Sequence, residues 1–344
     1  MKNSFYLIVV VLILFAACKN DFVVTAPFKE VPVVYGLLDF DSSVQYIKVE
    51  RIFVDSKTSA YTLAKNPDSV YYPKSLQVMI SGYNAAGIEQ TTHNFSLVDG
   101  DTIPGFKKEA GVFANSPNLF YRLKSKLNKD YTYKLSIKKA DGTEIASGKT
   151  NLANKIVINN PSPLYNPFYI TFVNRYSTPQ DQIVYNYTSG KNGKVFDLVI
   201  RMNYKEINKI SHDTVYKFID WPAVSSMVSS NDLGTESIDA PFNGQNFFSY
   251  LAVNLKPNPQ VDRVAIDFDI IFFAGNLPFK TYMDVALAQS GFTSGNVQPD
   301  YTNIVGGLGL FASRTVTYKR HNLIKSPSLD SLRKGTRSGG LGFI

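Results

Sequence analysis

Asp267 and Asp269 are the two residues of this chain best placed to do chemistry together. They stand two apart in the run VDRVAIDFDIIFFAG. On a strand that spacing puts both on one face, roughly 6–7 Å apart at the backbone. Two carboxylates so placed are what a retaining glycosidase needs, one as nucleophile and one as acid and base. The simpler reading is the solvent side of an amphipathic strand, with Val264, Ile266, Phe268, Ile270 and Phe272 turned inward.

Other chemical groups are sparse. His93, His212 and His321 have neither a second histidine nor an acid at metal-ligand spacing, and no H-E-x-x-H occurs. They read as surface or turn residues, so no metal site and no cofactor is expected. No G-x-S-x-G elbow is present, and the chain is expected not to be an enzyme. The pairs Asp39/Asp41 and Asp99/Asp101 fall in turn-like stretches, and neither opens a full oxygen-ligand calcium loop. The one tryptophan, Trp221, reads as core.

Gly307 to Ala312, GLGLFA, fits the written form of a dinucleotide fingerprint. Such a loop must leave a strand and open a helix, because the pyrophosphate sits on the helix N-terminus. Here SRTVTYKR follows, β-branched and alternating. The expectation is a strand in which Gly306, Gly307 and Gly309 allow a bulge or a close backbone approach.

Cys18 is the only cysteine of 344 residues. It follows Lys2, an apolar run from Phe5 to Phe15, and two alanines. The run is too short to span a bilayer and reads as a secretory signal, residues 1–17. A cysteine directly after the cleavage site is the acceptor for bacterial lipid modification. The chain would then be held on a membrane by several acyl chains, an attachment close to permanent. One cysteine also leaves no internal disulfide and no thiol chemistry in the mature chain. Cleavage takes the net charge from +8 to +7, since Lys2 is the only charge removed. The basic residues are scattered, which reads as a solvated surface and gives no nucleic-acid footprint.

These groups must be positioned by strands. The chain is 44% hydrophobic, with 24 Phe and 21 Tyr, a composition that favours β structure. After a lipidated tether, 18–30, residues 31–152 read as an immunoglobulin- or fibronectin-like β-sandwich. Its signals are PVVYGLLD and VQYIKVERIFVD, then Leu76/Val78/Ile80, then Tyr131/Tyr133/Leu135/Ile137 in strict alternation. Asp141-Gly142 supplies a hairpin turn, and LNKDYTYKLSI suggests a corner tyrosine. A helical turn or two is expected around SAYTLAKNPDS. The three prolines of 159–167 suggest a boundary or hinge. Residues 153–325 read as an α+β domain with a mostly antiparallel sheet. Phe196, Leu198, Ile200, Met202 and Tyr204 would line one strand. Two helices are expected, NGQNFFSYLAVNL and LPFKTYMDVALAQS. The second carries Phe279, Tyr282, Met283, Ala286 and Leu287 on its sheet-facing stripe. Residues 326–344 read as a C-terminal tail.

The segments AACKND, PVVYGLLDFDSSVQYIKVERIF, YTNIVGGLGLFASR and SLDSLRKG together resemble an uncharacterised outer-membrane lipoprotein family of Bacteroidota, a domain of unknown function often encoded near TonB-dependent receptors. The resemblance implies a lipid-anchored outer-membrane protein. Lys19, Asn20 and Asp21 loosely resemble the short acidic signals that send such proteins to the cell surface. It also makes four Asp-(Ser/Thr)-apolar tripeptides candidate O-glycosylation sequons, at Ser69, Thr102, Thr214 and Ser331.

The expected function is a non-enzymatic binding or accessory subunit for an outer-membrane transport or secretion complex. The expected partner is a β-barrel such as a TonB-dependent receptor or a translocon. A surface hydrolase on glycan or peptide, using Asp267 and Asp269, is the alternative, and cell-surface adhesion is a third reading.

Overall fold

The alternating runs become strands, and one strand serves two sandwiches. A computed structural model describes residues 30–52, 58–173, 182–289 and 300–344. Cys18 and the rest of the expected tether up to residue 29 lie outside the described residues. The protein is mainly β, with mostly antiparallel sheets and five α-helices among the described residues.

The first half supplies β1 (Val31–Leu38), β2 (Gln45–Ile52), two short helices, α1 (Ala60–Ala64) and α2 (Pro67–Val70), and β3 (Gln77–Tyr83) to β8 (Glu144–Asn151). Between these last two lie β4 (Glu89–Asn94), β5 (Ser96–Asp99), β6 (Leu119–Leu123) and β7 (Thr132–Lys138). Ser59 and Asn66 cap the two helices by accepting from backbone N–H groups. The inward residues of the alternating runs meet in one core: Val34, Ile47 and Val49 face Val78, Ile80, Tyr133, Leu135 and Ile137. The Tyr133 hydroxyl accepts the N–H of Asn128 at 2.8 Å, tying the loop before β7 to the sheet. Asp141 and Gly142 (φ +86°) turn the β7–β8 hairpin, with the Asp141 carboxylate accepting from Thr143 N–H at 2.9 Å.

The second half supplies β9 (Val157–Asn160), β10 (Tyr169–Ile170), β11 (Gln182–Thr188), β12 (Val195–Asn208), β13 (Thr214–Val228), β14 (Ser237–Asn243), α3 (Gln245–Asn254), β15 (Val261–Gly275), α4 (Leu277–Gln289), β16 (Ile304–Val305), β17 (Leu308–Ile324) and α5 (Ser326–Lys334). Its core stacks Phe172 on Phe247 at 4.1 Å and packs Trp221 edge-on against Phe242. Phe196, Leu198, Ile200, Met202 and Tyr204 are all buried there.

The sheets do not respect a division at residue 153. The chain does leave the first core near Leu152 and enter the second at Ile156. The proline-rich 159–167 stretch lies beyond that crossing, running from the end of β9 into the connection to β10. Residues 304–313 then return. β16 pairs with β8, and the chain crosses between the two layers at Gly306 and Gly307. Residues 308–313 of β17 run parallel to β1, while residues 314–322 run antiparallel to β15. Ile304 and Phe311 therefore complete the first core. A nine-stranded sheet results, ordered β13-β12-β15-β17-β1-β2-β6-β5 with β10 joined to β17. β14-β11-β9 and β4-β3-β7-β8-β16 form the second layers. The GLGLFA stretch is the start of β17. Gly309 has φ +111°, and a Cβ there would lie 2.1 Å from the Val34 carbonyl oxygen, so only glycine allows the parallel pairing.

Three local expectations change. Ile266 is 41% exposed, because the β12–β15 register shifts between Asn203 and Tyr204 and leaves it as the extra residue of a bulge. On α4, Met283 and Leu287 are exposed, while Phe279 and Tyr282 turn toward the sheet. Residues 326–344 are not a loose tail. Leu332, Leu341 and Phe343 belong to the second core. Arg263, itself buried, donates to the Leu341 carbonyl at 2.6 Å and pairs with Glu206 at 2.9 Å, while its backbone bridges Gly342 and Ile344. The segment's charged residues hide this docking from a hydropathy reading.

The crossing of β17 is fastened by buried polar groups. Ser313 Oγ accepts the N–H of Ala153 at 2.7 Å and donates to the carbonyl of Asn151 at 2.9 Å. The Asn276 amide donates to Thr150 Oγ1 and to the Asn151 carbonyl, each at 2.8 Å, and its Oδ1 accepts Ser313 N–H at 3.2 Å. Asn276→Ala takes the acceptor from the buried Ser313 N–H and one donor from the Asn151 carbonyl, which should cost about 1–3 kcal/mol. Denaturant unfolding followed by Trp221 fluorescence, with hydrogen exchange at Ile80 and Leu135, should show both cores losing stability together. A loss confined to one core would contradict the shared-sheet account.

Candidate functional site

The outer face of the nine-stranded sheet carries both places where chemistry gathers. Alternation sets Asp267 and Asp269 on it from β15, and pairing puts Asn203 and Arg201 of β12 beside them. His321 joins from β17. There the register passes from Ile270↔Lys319 to Phe268↔Asn322, so Arg320 and His321 share one bulge. Asn322 points into the core and is buried, leaving His321 outward with φ +56°. A bulge re-aims a side chain in this way.

The cluster is tightly connected. His321 Nδ1 lies 2.7 Å from Asp267 Oδ2. The Asn203 amide donates to Asp267 Oδ1 at 2.7 Å and to Asp269 Oδ2 at 3.4 Å. The backbone N–H of His321 donates to Asp269 Oδ1 at 3.1 Å. One ligand atom from each of Asp267, Asp269 and His321 falls within 4.8 Å of the others. Arg201 is directed elsewhere, in a two-bond pair with Asp220 at 2.7 and 2.8 Å, its guanidinium 4.0 Å from the centre of the Phe218 ring. The hydrogen bond and charge of Asp267 raise the His321 pKa above its ordinary 6.5.

This geometry does not suit a glycosidase pair. The two acids of such an enzyme face a sugar held between them, whereas Asp267 is turned to His321 and Asn203. Asp269 is also only 5% exposed and is occupied by neighbouring donors. His321 is exposed, as a surface residue, and its acid partners sit 54 and 52 residues away on the adjacent strand, where no spacing rule reaches.

The second place is a cavity of about 650 Å³ lined by Tyr35, Tyr46, Lys48, Phe106, Phe120 and Arg314 among others. That volume falls in the range of small-molecule sites. Tyr46 stands 4.7 Å from Phe106, and Phe106 meets Phe120 edge-on at 5.6 Å. Lys48 lies 5.1 Å over the Phe120 ring. Asn118 fixes the Phe106 loop by donating to its carbonyl at 2.7 Å. The Tyr35 phenol meets Tyr282 of α4, and burial followed by that hydrogen bond pushes its pKa up to about 12, so it stays neutral. Tyr46 and Lys48 had a signal in the sequence, as outward positions of an alternating strand. Phe106 had none, since it lies in the irregular stretch before β6.

The remaining candidates are dispersed. Thr102 and Thr214 are exposed, while Ser69 and Ser331 are half-buried in α2 and α5. Asp39 and Asp99 accept from the backbone N–H of Asp41 and Asp101, as turn residues do. His212 sits in the turn before β13 with φ +60°, and His93 lies on β4. Among the described residues no helix is long and apolar enough to cross a membrane.

No family model matches the chain, and no curated protein does. Among solved structures, a cytokine receptor complex aligns at 10% identity over 84% of this chain and 96% of that one, with a TM-score of 0.21. The C-terminal globular domain of an oligosaccharyltransferase from Pyrococcus abyssi aligns at 9% identity over 72% of this chain and 39% of that one, again with a TM-score of 0.21.

The His321–Asp267 pair predicts a pH response. The pair favours the charged imidazole, so its stabilisation is present below the ordinary value of 6.5 and fades as pH rises through the raised folded value. In an NMR titration the His321 ring should titrate above 6.5 and fall back toward it in Asp267→Asn. Identical titrations in both proteins would rule out the pair.

Proposed function

We propose that the chain is an outer-membrane lipoprotein, anchored through lipid on Cys18 and facing the cell surface, that works as a non-enzymatic binding and accessory subunit of an outer-membrane transport or secretion complex. The observation that carries this reading is the cavity on the outer face of the shared sheet. Its walls are rings and its polar groups include two cations, Lys48 and Arg314. Rings offer flat apolar area at small entropic cost, and cations orient what lies on them. That is equipment for recognition. The rigid backing of a sheet common to two cores holds the rings in place before any ligand arrives, which limits the ordering cost of binding.

Support for the membrane side comes from the sequence. The leader, the two alanines and the lone Cys18 form a lipid-attachment pattern. The resemblance to a Bacteroidota family often encoded near TonB-dependent receptors supplies the partner class, an integral β-barrel. The burial of Asp269 and the engagement of Asp267 by His321 and Asn203 count against the hydrolase alternative.

Two measurements test the proposal in cells. Cys18→Ala should shift the protein out of the outer-membrane fraction. A photocrosslinking residue at Phe106 should capture an integral β-barrel protein, while the same residue at Ile88, exposed in the turn between β3 and β4, should not. Equal capture at both positions, or none at either, would count against the cavity as the docking site.

A further inference from the structure

We propose that Asp267, Asp269 and His321 bind a divalent transition-metal ion, a site separate from the aromatic cavity and independent of the function assigned to it. The first ground is the donor set. Two carboxylates and an imidazole bring one ligand atom each within 4.8 Å of one another, from two hydrogen-bonded strands. Oxygen and imidazole nitrogen together suit a zinc-like ion, whereas calcium takes oxygen ligands only.

The second ground is an unbalanced buried charge. Asp269 is 5% exposed, yet among the described residues no cation lies within 4.0 Å of it. The nearest candidate by pairing, Arg201, is committed to Asp220 by two hydrogen bonds. Asp269 is met only by neutral donors, the His321 N–H at 3.1 Å and the Asn203 amide at 3.4 Å. A buried carboxylate with no ion pair of its own is costly, and a second carboxylate beside it adds repulsion. The His321 imidazole and the Arg201 guanidinium act on Asp269 only at longer range, each bonded to another carboxylate. A divalent ion between the three would balance both acids at once.

The third ground is access and orientation. The His321 side chain is 79% exposed, so an ion can arrive from solvent and the ring can turn to admit it. Asn203 holds Oδ1 of Asp267 and leaves Oδ2 facing His321, the role of an outer partner that orients a ligand. Solvent would fill the remaining positions around the ion.

The test uses the full chain purified in detergent, stripped with chelator, and titrated calorimetrically with Zn²⁺ or Ca²⁺ alone. Because Cys18 is a potential zinc ligand when unmodified, the titrations are repeated on Cys18→Ala. We expect one Zn²⁺ per chain in both backgrounds, a rise in Tm on zinc addition, and weaker binding of Ca²⁺. His321→Ala, at an exposed position that leaves the core untouched, should weaken zinc binding at least tenfold, and Asp269→Asn should do the same. Zinc binding unchanged in His321→Ala would overturn the proposal, as would calcium binding equal to or tighter than zinc. A Tm gain in Asp269→Asn together with no zinc binding by the parent chain would also overturn it, and would identify the buried carboxylate as plain strain.

Discussion

Everything in this molecule leans on the hydrogen bonding of β17. Its first third pairs with β1 and its middle pairs with β15, so one continuous ladder runs through two cores. At the crossing point the backbone has to pass between two sandwiches without losing its partners. Ser313 and Asn276 solve that problem by bonding the Ala153 N–H, the Asn151 carbonyl and the Thr150 hydroxyl. Gly309 contributes by omission, since any side chain there would collide with Val34. The result is two hydrophobic cores on the same side of one sheet, with the opposite side left for function.

Much of the fold could be read from the residues. The period-two runs at 76–80, 131–137 and 196–204 are strands with the expected faces buried. Both long helices of the second half lie where amphipathic spacing put them, and Trp221 is core. What escaped reading shares a physical cause. Pattern analysis is local, and the missed features are not. That residues 304–313 belong to the first sandwich is decided by pairing with β1 and β8, far away in the chain. Bulges at Ile266 and at Arg320–His321 change which side a residue faces, and nothing in an alternating pattern announces them. The final segment docks through a handful of apolar residues and a buried arginine, a combination that hydropathy scores as surface.

The site was legible to a similar degree. Asp267 and Asp269 stood out by spacing and do share a face, but the cluster they form includes His321, which no spacing rule links to them. The aromatic cavity was half visible: Tyr46 and Lys48 are the outward residues of a strand, where rings are unusual enough to notice. Phe106 completes it from an irregular loop whose position is set by Asn118.

The late return of the chain to its beginning bears on how the molecule is made. The first core lacks Ile304 and Phe311 until residues 304–313 join it, and the second lacks Phe343 until residues 341–343 dock. Contacts of such long range form slowly. Until β16 and β17 arrive, β1 and β8 each present a bare edge, the kind of surface on which partly folded β proteins associate.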